Sequence, residues 1–115
     1  MSENCLFCNI ISGTVPADKV DENDLALAFR DINPQAPAHI LVIPKLHIAS
    51  TLELNNDNSQ YLQAVTQMAN AIAKNEDLSD QGFRWVINTG KYGGQTVDHL
   101  HLHILGGRQL NWPPG

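Results

Sequence analysis

His99-Leu100-His101-Leu102-His103 alternates imidazoles with apolar side chains, and the fold is decided there. In an extended chain successive side chains point to opposite faces. The spacing therefore predicts a strand with three histidines on one side and Leu100, Leu102 and Ile104 on the other. The apolar side calls for a helix to cover it, and the imidazole side for a site. At twice the strand rise, neighbouring rings are expected roughly 7 Å apart. An imidazole, with a reference pKa of about 6.5, both attacks electrophiles and carries protons. One ring can attack while its neighbour binds the electrophile or protonates a leaving group. A metal triad is the rival chemistry, but three rings on one flat strand converge poorly on a single ion. A chance cluster and an expression tag are the neutral readings; the interleaved leucines and internal position argue against the tag.

Just upstream lies Gly93-Gly94-Gln95-Thr96. Glycines let backbone N–H groups approach an anion, while Gln95 and Thr96 add side-chain donors, so beside the histidine row the segment reads as a phosphate cradle. Asn88 reaches the same place or serves only as a strand-end turn residue; spacing does not choose between these.

Further outward, the pattern alternates between helix and strand periods. Leu6, Phe7, Ile10 and Ile11 are helically spaced between Cys5 and Ser12, with Gly13 as the stop. Val20 and Leu25 to Phe29 flank the turn-forming Asp21-Glu22-Asn23-Asp24 and predict a hairpin. Asp31 to Pro37 is a loop, since its prolines block a helix or a central strand. His39 to Ile43 reads as a central strand ended by Pro44. Tyr61, Val65, Met68 and Ile72, widened by Leu62 and Ala69, predict the one long helix, from about Ser59 to Lys74, with Asp57 or Asn58 available as cap. Phe83 to Asn88 forms a further strand and Asn88 to Gly94 a glycine-rich turn. The last strand runs from about Val97 to Leu105 and is closed by Gly106-Gly107. Helix, three strands, long helix and two strands, without strict alternation, predict an α+β fold with a five-stranded antiparallel sheet.

Residues 1–115 read as a single domain, long enough for a real core. Seven basic against twelve acidic residues give a net charge of −5, and the absence of any Lys/Arg run argues against a nucleic-acid partner. Ile40 to Ile43, the longest apolar stretch, is too short to span a bilayer, so no membrane partner is expected. Met1-Ser2-Glu3-Asn4 carries no basic segment ahead of an apolar run, which gives the expectation of a cytoplasmic protein. Cys5 and Cys8, at C-x-x-C spacing, fit a disulfide, a redox pair, half a zinc site or no chemistry at all; in a reducing compartment the disulfide is weakest.

The histidine row, together with Cys5-Leu6-Phe7-Cys8, Asp31 to Pro37, Ile40 to Lys45, Gly93 to Thr96 and Leu105 to Arg108, resembles the histidine-triad (HIT) superfamily over essentially the whole chain. The ending Trp112-Pro113-Pro114-Gly115 is similar to the Hint branch, the histidine-triad nucleotide-binding proteins. The resemblance implies a homodimer whose two sheets join, and hydrolysis of purine nucleoside phosphoramidates to the monophosphate without a catalytic cofactor. It makes His101 the nucleophile, His103 and His39 its supports, and Asp31 the carboxylate for the ribose hydroxyls. Asn88, Gly94, Gln95 and Thr96 become phosphate contacts, and Leu6, Phe7, Ile10, Phe29, Ile32 and Leu41 the base pocket. Asp98 departs from the branch, where an aromatic residue is common, but alternates away from the histidines. Thr96 stands where serine is frequent and keeps the hydroxyl.

Other functions carry sequence signals too. Nucleotidylyltransferases of the superfamily have Gln at the third triad position, which His103 opposes. Dinucleoside polyphosphate hydrolases keep all three histidines but end differently, and a mainly regulatory nucleotide-binding protein is compatible with every residue named. Given the family mechanism, His47 and His99 have no chemical assignment. With Cys5 and Cys8 they complete a Cys₂His₂ set for a closed, structural zinc site pinning the N-terminal helix to the sheet. The tail Asn111 to Gly115 has no regular structure to bury it within its own chain, so a partner subunit is the expected anchor.

Overall fold

A computed structural model describes residues 4–115 of the chain. Met1, Ser2 and Glu3, on which the absence of a leader was read, lie outside the described residues. Helix α1 (Leu6–Ile11) is followed by β1 (Lys19–Glu22), β2 (Ala26–Arg30) and β3 (Ala38–Pro44), then by the long helix α2 (Ser59–Asn75). β4 (Phe83–Ile87), a single-turn helix α3 (Gly90–Gly93) and β5 (Leu102–Gly106) complete the order. The strands form one antiparallel sheet in the order β1-β2-β3-β5-β4, so β3 is central as its unbroken apolar run predicts.

Side-chain alternation sorts the two faces. Ala26, Ala28, Ile40, Val42, Leu102 and Ile104 pack against Val65, Met68, Ala69 and Ile72 of α2 in one core. Phe7 and Ile10 of α1 pack with Leu27, Phe29, Leu41 and Ile43 in a second core on the other face. Burying each large side chain of the α2 stripe contributes about 1.5–3 kcal/mol, so packing rather than propensity holds that helix. Asn23 makes the hairpin: its Oδ1 accepts from the N–H groups of Leu25 and Ala26, both at 2.9 Å. Asp21 and Glu22, expected in that turn, belong to β1 instead.

Other boundaries also move. Asn58 occupies the N-cap position of α2, but its Oδ1 accepts from the Asn55 N–H at 2.9 Å and not from the helix, so it ties the preceding turn. Asn88 falls beyond β4, and the expected turn after it contains α3, ended by Gly94 at φ +83°. The last strand begins at Leu102 rather than near Val97. The Leu100 N–H donates to Ile48 O at 2.7 Å and the His99 N–H to Val97 O at 2.8 Å, so these amides are used before a ladder can form. Among the described residues no helix is long and apolar enough to cross a membrane.

Candidate active site

β3 and β5 are paired with Leu41 opposite His103 and His39 opposite Leu105. His39 and His103 are therefore diagonal neighbours on the face away from α2, close enough for long side chains to meet. His39 Nε2 lies 2.9 Å from His103 Nδ1. The Gln35 backbone N–H donates to His39 Nδ1 at 3.0 Å, and an amide can only donate. His39 thus carries its proton on Nε2 and donates it to His103 Nδ1, which leaves His103 with its own proton on Nε2. Asp31 Oδ2 stands 3.4 Å from His39 Nε2, while Asp31 Oδ1 accepts from the Asn33 N–H at 2.8 Å. Arg108 Nη2 holds this loop from the other side by donating to Gln35 O at 2.9 Å.

His101 is fixed by its own chain. Its Nδ1 is 2.8 Å from His99 O, and since a carbonyl only accepts, the proton sits on Nδ1 and Nε2 keeps its lone pair. The ring is 4% exposed, its centroid 5.0 Å from that of His103, and Phe7 meets it edge-on at 5.1 Å. The spacing is tighter than a flat strand gives, because the segment before Leu102 is bent rather than extended. Burial depresses the basicity of both supporting rings. His103 is lowered to about 4, by desolvation first and then by its neighbours His101 and His39. His39 is lowered by desolvation, which the Asp31 charge partly offsets. Both are neutral at neutral pH, as the relay of donors requires.

The glycine segment folds back on itself. The Gln95 N–H donates to Gly90 O at 3.0 Å. Its side chain is engaged at both ends: Oε1 accepts from the Gly90 N–H at 2.9 Å, and Nε2 donates to Ala49 O at 2.7 Å and Val97 O at 3.0 Å. Read from sequence as a donor to phosphate, this amide serves as a strut joining three stretches of chain. Thr96 is exposed, and Gly94 has open space where a Cβ would stand. Of the expected base-pocket residues, Phe7, Ile10, Phe29 and Leu41 come together in one buried cluster. Leu6 is 46% exposed and Ile32 fully so, two apolar surfaces available to a ligand.

His99 parts from the row. It is wholly buried, gives Nε2–H to Pro44 O at 2.9 Å and turns Nδ1 toward Cys5, Cys8 and His47. Those four ligand atoms lie within 4.8 Å of one another. Tetrahedral zinc, at about 2.3 Å to sulfur and about 2.0 Å to nitrogen, spaces ligands about 3.5 Å apart for S···N and about 3.3 Å for N···N. The observed separations are 3.3 Å (Cys5 Sγ to His99 Nδ1), 3.3 Å (Cys8 Sγ to His47 Nδ1), 3.6 Å (Cys8 Sγ to His99 Nδ1) and 3.2 Å (His47 to His99). The donor set fits a closed zinc site. Cys5 and Cys8 form no disulfide.

The structure brings together three of the expected site histidines, His39, His101 and His103, and sets Asp31 beside them, through contacts that the sequence did not show. The Gln35 amide, the His99 carbonyl and Arg108 were missed. Backbone groups carry no residue signature, and only the closeness of the Asp31–Pro37 loop to the central strand hinted at the first.

The HIT domain family matches residues 12–110. A HIT-like protein of Synechococcus elongatus is 56% identical over 115 residues, covering all of both chains. The purine nucleoside phosphoramidase of Escherichia coli strain K12 is 43% identical over 110 residues, 96% of this chain and 92% of that one. The crystal structure of a HIT family hydrolase from Legionella pneumophila superimposes with a TM-score of 0.95 at 53% identity, covering 97% of this chain and 100% of the other.

Proposed function

Because the chain belongs to the HIT domain family, we propose that it hydrolyses purine nucleoside 5′-phosphoramidates to the nucleoside monophosphate through a nucleotidyl intermediate on His101. The observation that carries this is the His101 tautomer: Nδ1–H held by His99 O leaves the Nε2 lone pair for phosphorus. Attack by Nε2 forms the N–P bond and breaks the bond to the amine, whose nitrogen takes up a proton from solvent water as it leaves. The positive charge gained by the ring is spread toward the His99 carbonyl. His103, neutral and protonated on Nε2, donates to a phosphoryl oxygen, and His39 keeps it in that tautomer. Water then attacks the same phosphorus, releasing the monophosphate and restoring His101.

Phe7, Ile10, Phe29 and Leu41 floor the base site, with Leu6 and Ile32 at its rim. Asp31 accepts the ribose hydroxyls. Asn88, Gly94 and Thr96 surround the phosphate in a loop that Gln95 holds in shape. No cofactor enters the chemistry; the Cys5, Cys8, His47 and His99 set holds zinc in a structural role, with no position open for substrate. The chain works as a homodimer, its Trp112 to Gly115 tail anchored by the partner. The E. coli relative's name supports the substrate class.

Turnover of a fluorogenic adenosine phosphoramidate tests the assignment. His101→Ala is expected to lose activity by roughly three orders of magnitude or more while still binding AMP. Rapid quench of the wild type is expected to trap an acid-labile nucleotidyl-protein. Full activity in His101→Ala rejects the mechanism; AMP binding without turnover in the wild type would make the protein a nucleotide-binding regulator.

A further inference from the structure

We propose that metal loading of the Cys5–Cys8–His47–His99 cluster fixes the attacking ring, because His99 places its side chain in the cluster and its backbone carbonyl on His101 Nδ1, while Phe7, between the two cysteines, braces His101. Resting as this does on the phosphoramidase and zinc assignments above, it makes His99 and Phe7 positioning residues of the reaction.

Three observations point the same way. First, no ladder holds the His99 peptide. β5 starts at Leu102, and the peptide that carries the His99 carbonyl is held instead by the Leu100 N–H to Ile48 O bond at 2.7 Å, made to the residue after His47, and by what the His99 side chain grips. That side chain grips at both nitrogens, Nε2 on Pro44 O at 2.9 Å and Nδ1 inside the cluster. A ligand held by His99 Nδ1 and by His47 therefore fixes both anchors of this peptide, and the peptide decides which nitrogen of His101 is free.

Second, Phe7 is carried by the cluster. α1 is a six-residue helix, too short to persist by propensity. Cys5 is its N-cap, its Sγ accepting from the Cys8 N–H at 3.3 Å, so both sulfur ligands lie in the first turn with Phe7 between them. Phe7 meets His99 at 5.9 Å and His101 at 5.1 Å, both edge-on, with interplanar angles of 73° and 85°. A ligand joining Cys5 and Cys8 to His99 and His47 staples this wedge to the rings it supports.

Third, the cluster has one surface member. His47 is exposed while Cys5 and His99 are buried, which gives an ion a way in and offers a substitution remote from the reacting atoms.

The test compares zinc-loaded protein, protein stripped by a chelator, and His47→Ala kept in chelator. Each is examined by long-range proton–nitrogen correlation of the His101 ring, by single-turnover formation of the nucleotidyl-protein and by AMP titration. In the loaded form His101 is expected as one tautomer, protonated at Nδ1. Without metal it should become a mixture, and nucleotidyl transfer should slow by about tenfold or more, as for a misplaced reacting group. AMP affinity should fall by less than the transfer rate does, because Phe7 also floors the base site while the ribose contact at Asp31 lies apart from the cluster. Re-adding zinc to the stripped wild type should restore both signals. An unchanged tautomer and rate in folded, metal-free protein would overturn the coupling and leave the phosphoramidase assignment standing. Failure to bind zinc would overturn it at the metal. Loaded protein without turnover would reject the phosphoramidase assignment, and the ring signals would still decide the coupling. If stripping and His47→Ala both unfold the chain, the proposal also fails, because the metal then holds the fold and not the ring.

Discussion

Gln95→Ala should destabilise the protein more than it weakens nucleotide binding. The side chain makes three bonds, to Gly90 N–H, Ala49 O and Val97 O, at 2.7 to 3.0 Å. A net hydrogen bond is worth about 1 kcal/mol, and water replaces part of what is lost at a half-buried position, so the expected cost is about 2 kcal/mol. For a domain of this size that is a fall in melting temperature of about 8 °C. Gln95→Glu sharpens the point. It keeps the acceptor for Gly90 but sets a second carboxylate oxygen against two carbonyl oxygens. Its pKa in the folded state must rise, so the variant's stability is fullest below the unfolded value of about 4.3 and is lost as pH climbs through the raised one. Melting curves of the two variants against wild type at each pH, with AMP titrations alongside, measure this. A melting temperature within about 2 °C of wild type for Gln95→Ala, with AMP affinity down about tenfold, would refute the strut and place the amide on the phosphate.

His39 and His103 have depressed basicity in the fold, His103 to about 4, so the unfolded chain binds more protons between there and about 6.5. Stability should be complete above that upper value and fall as pH drops toward the lower; His103 contributes about 2 kcal/mol once its partial exposure is discounted. Denaturant titrations should show a shallower acid slope in His103→Asn than in wild type; equal slopes would count against the burial argument. Gly106→Ala puts a methyl 2.9 Å and 3.0 Å from the two Leu78 methyls, and should cost about 1–3 kcal/mol in chemical denaturation, with partial recovery on adding Leu78→Val. Asp31→Asn should weaken AMP while leaving 2′-deoxy-AMP nearly unaffected; equal losses for both ligands would mean that Asp31 acts through His39 and not on the ribose.

The sequence's period-two signal was strong where packing enforces it. Ile40, Val42, Leu102 and Ile104 face α2, while His39, Leu41 and His103 face away, as alternation requires. It failed at His99, because a local turn before Leu102 breaks the extended chain, and turns of that kind are set by a distant acceptor such as Ile48 O. Gln95 shows the same limit: composition reveals a donor but not that Ala49, far off in sequence, takes its proton. α3 escaped notice because a four-residue turn with glycine at both ends carries no periodicity. Cys5 and Cys8 offered the C-x-x-C half of the Cys5–Cys8–His47–His99 cluster directly, but His47 and His99 were legible only by elimination, once the resemblance had claimed the other histidines.

β3 interleaves two duties along seven consecutive residues, and the consequence concerns insertions and deletions more than substitutions. Replacing Val42 by another apolar residue alters one contact with α2. Losing Val42, with the end of the strand held in place, would turn His39 toward the helix and Ile40 toward the histidine face, because each step along a strand reverses direction. Length in this strand is therefore more constrained than the identity of its α2-facing residues. Frame-preserving losses of one residue here should be absent from any library selected for activity.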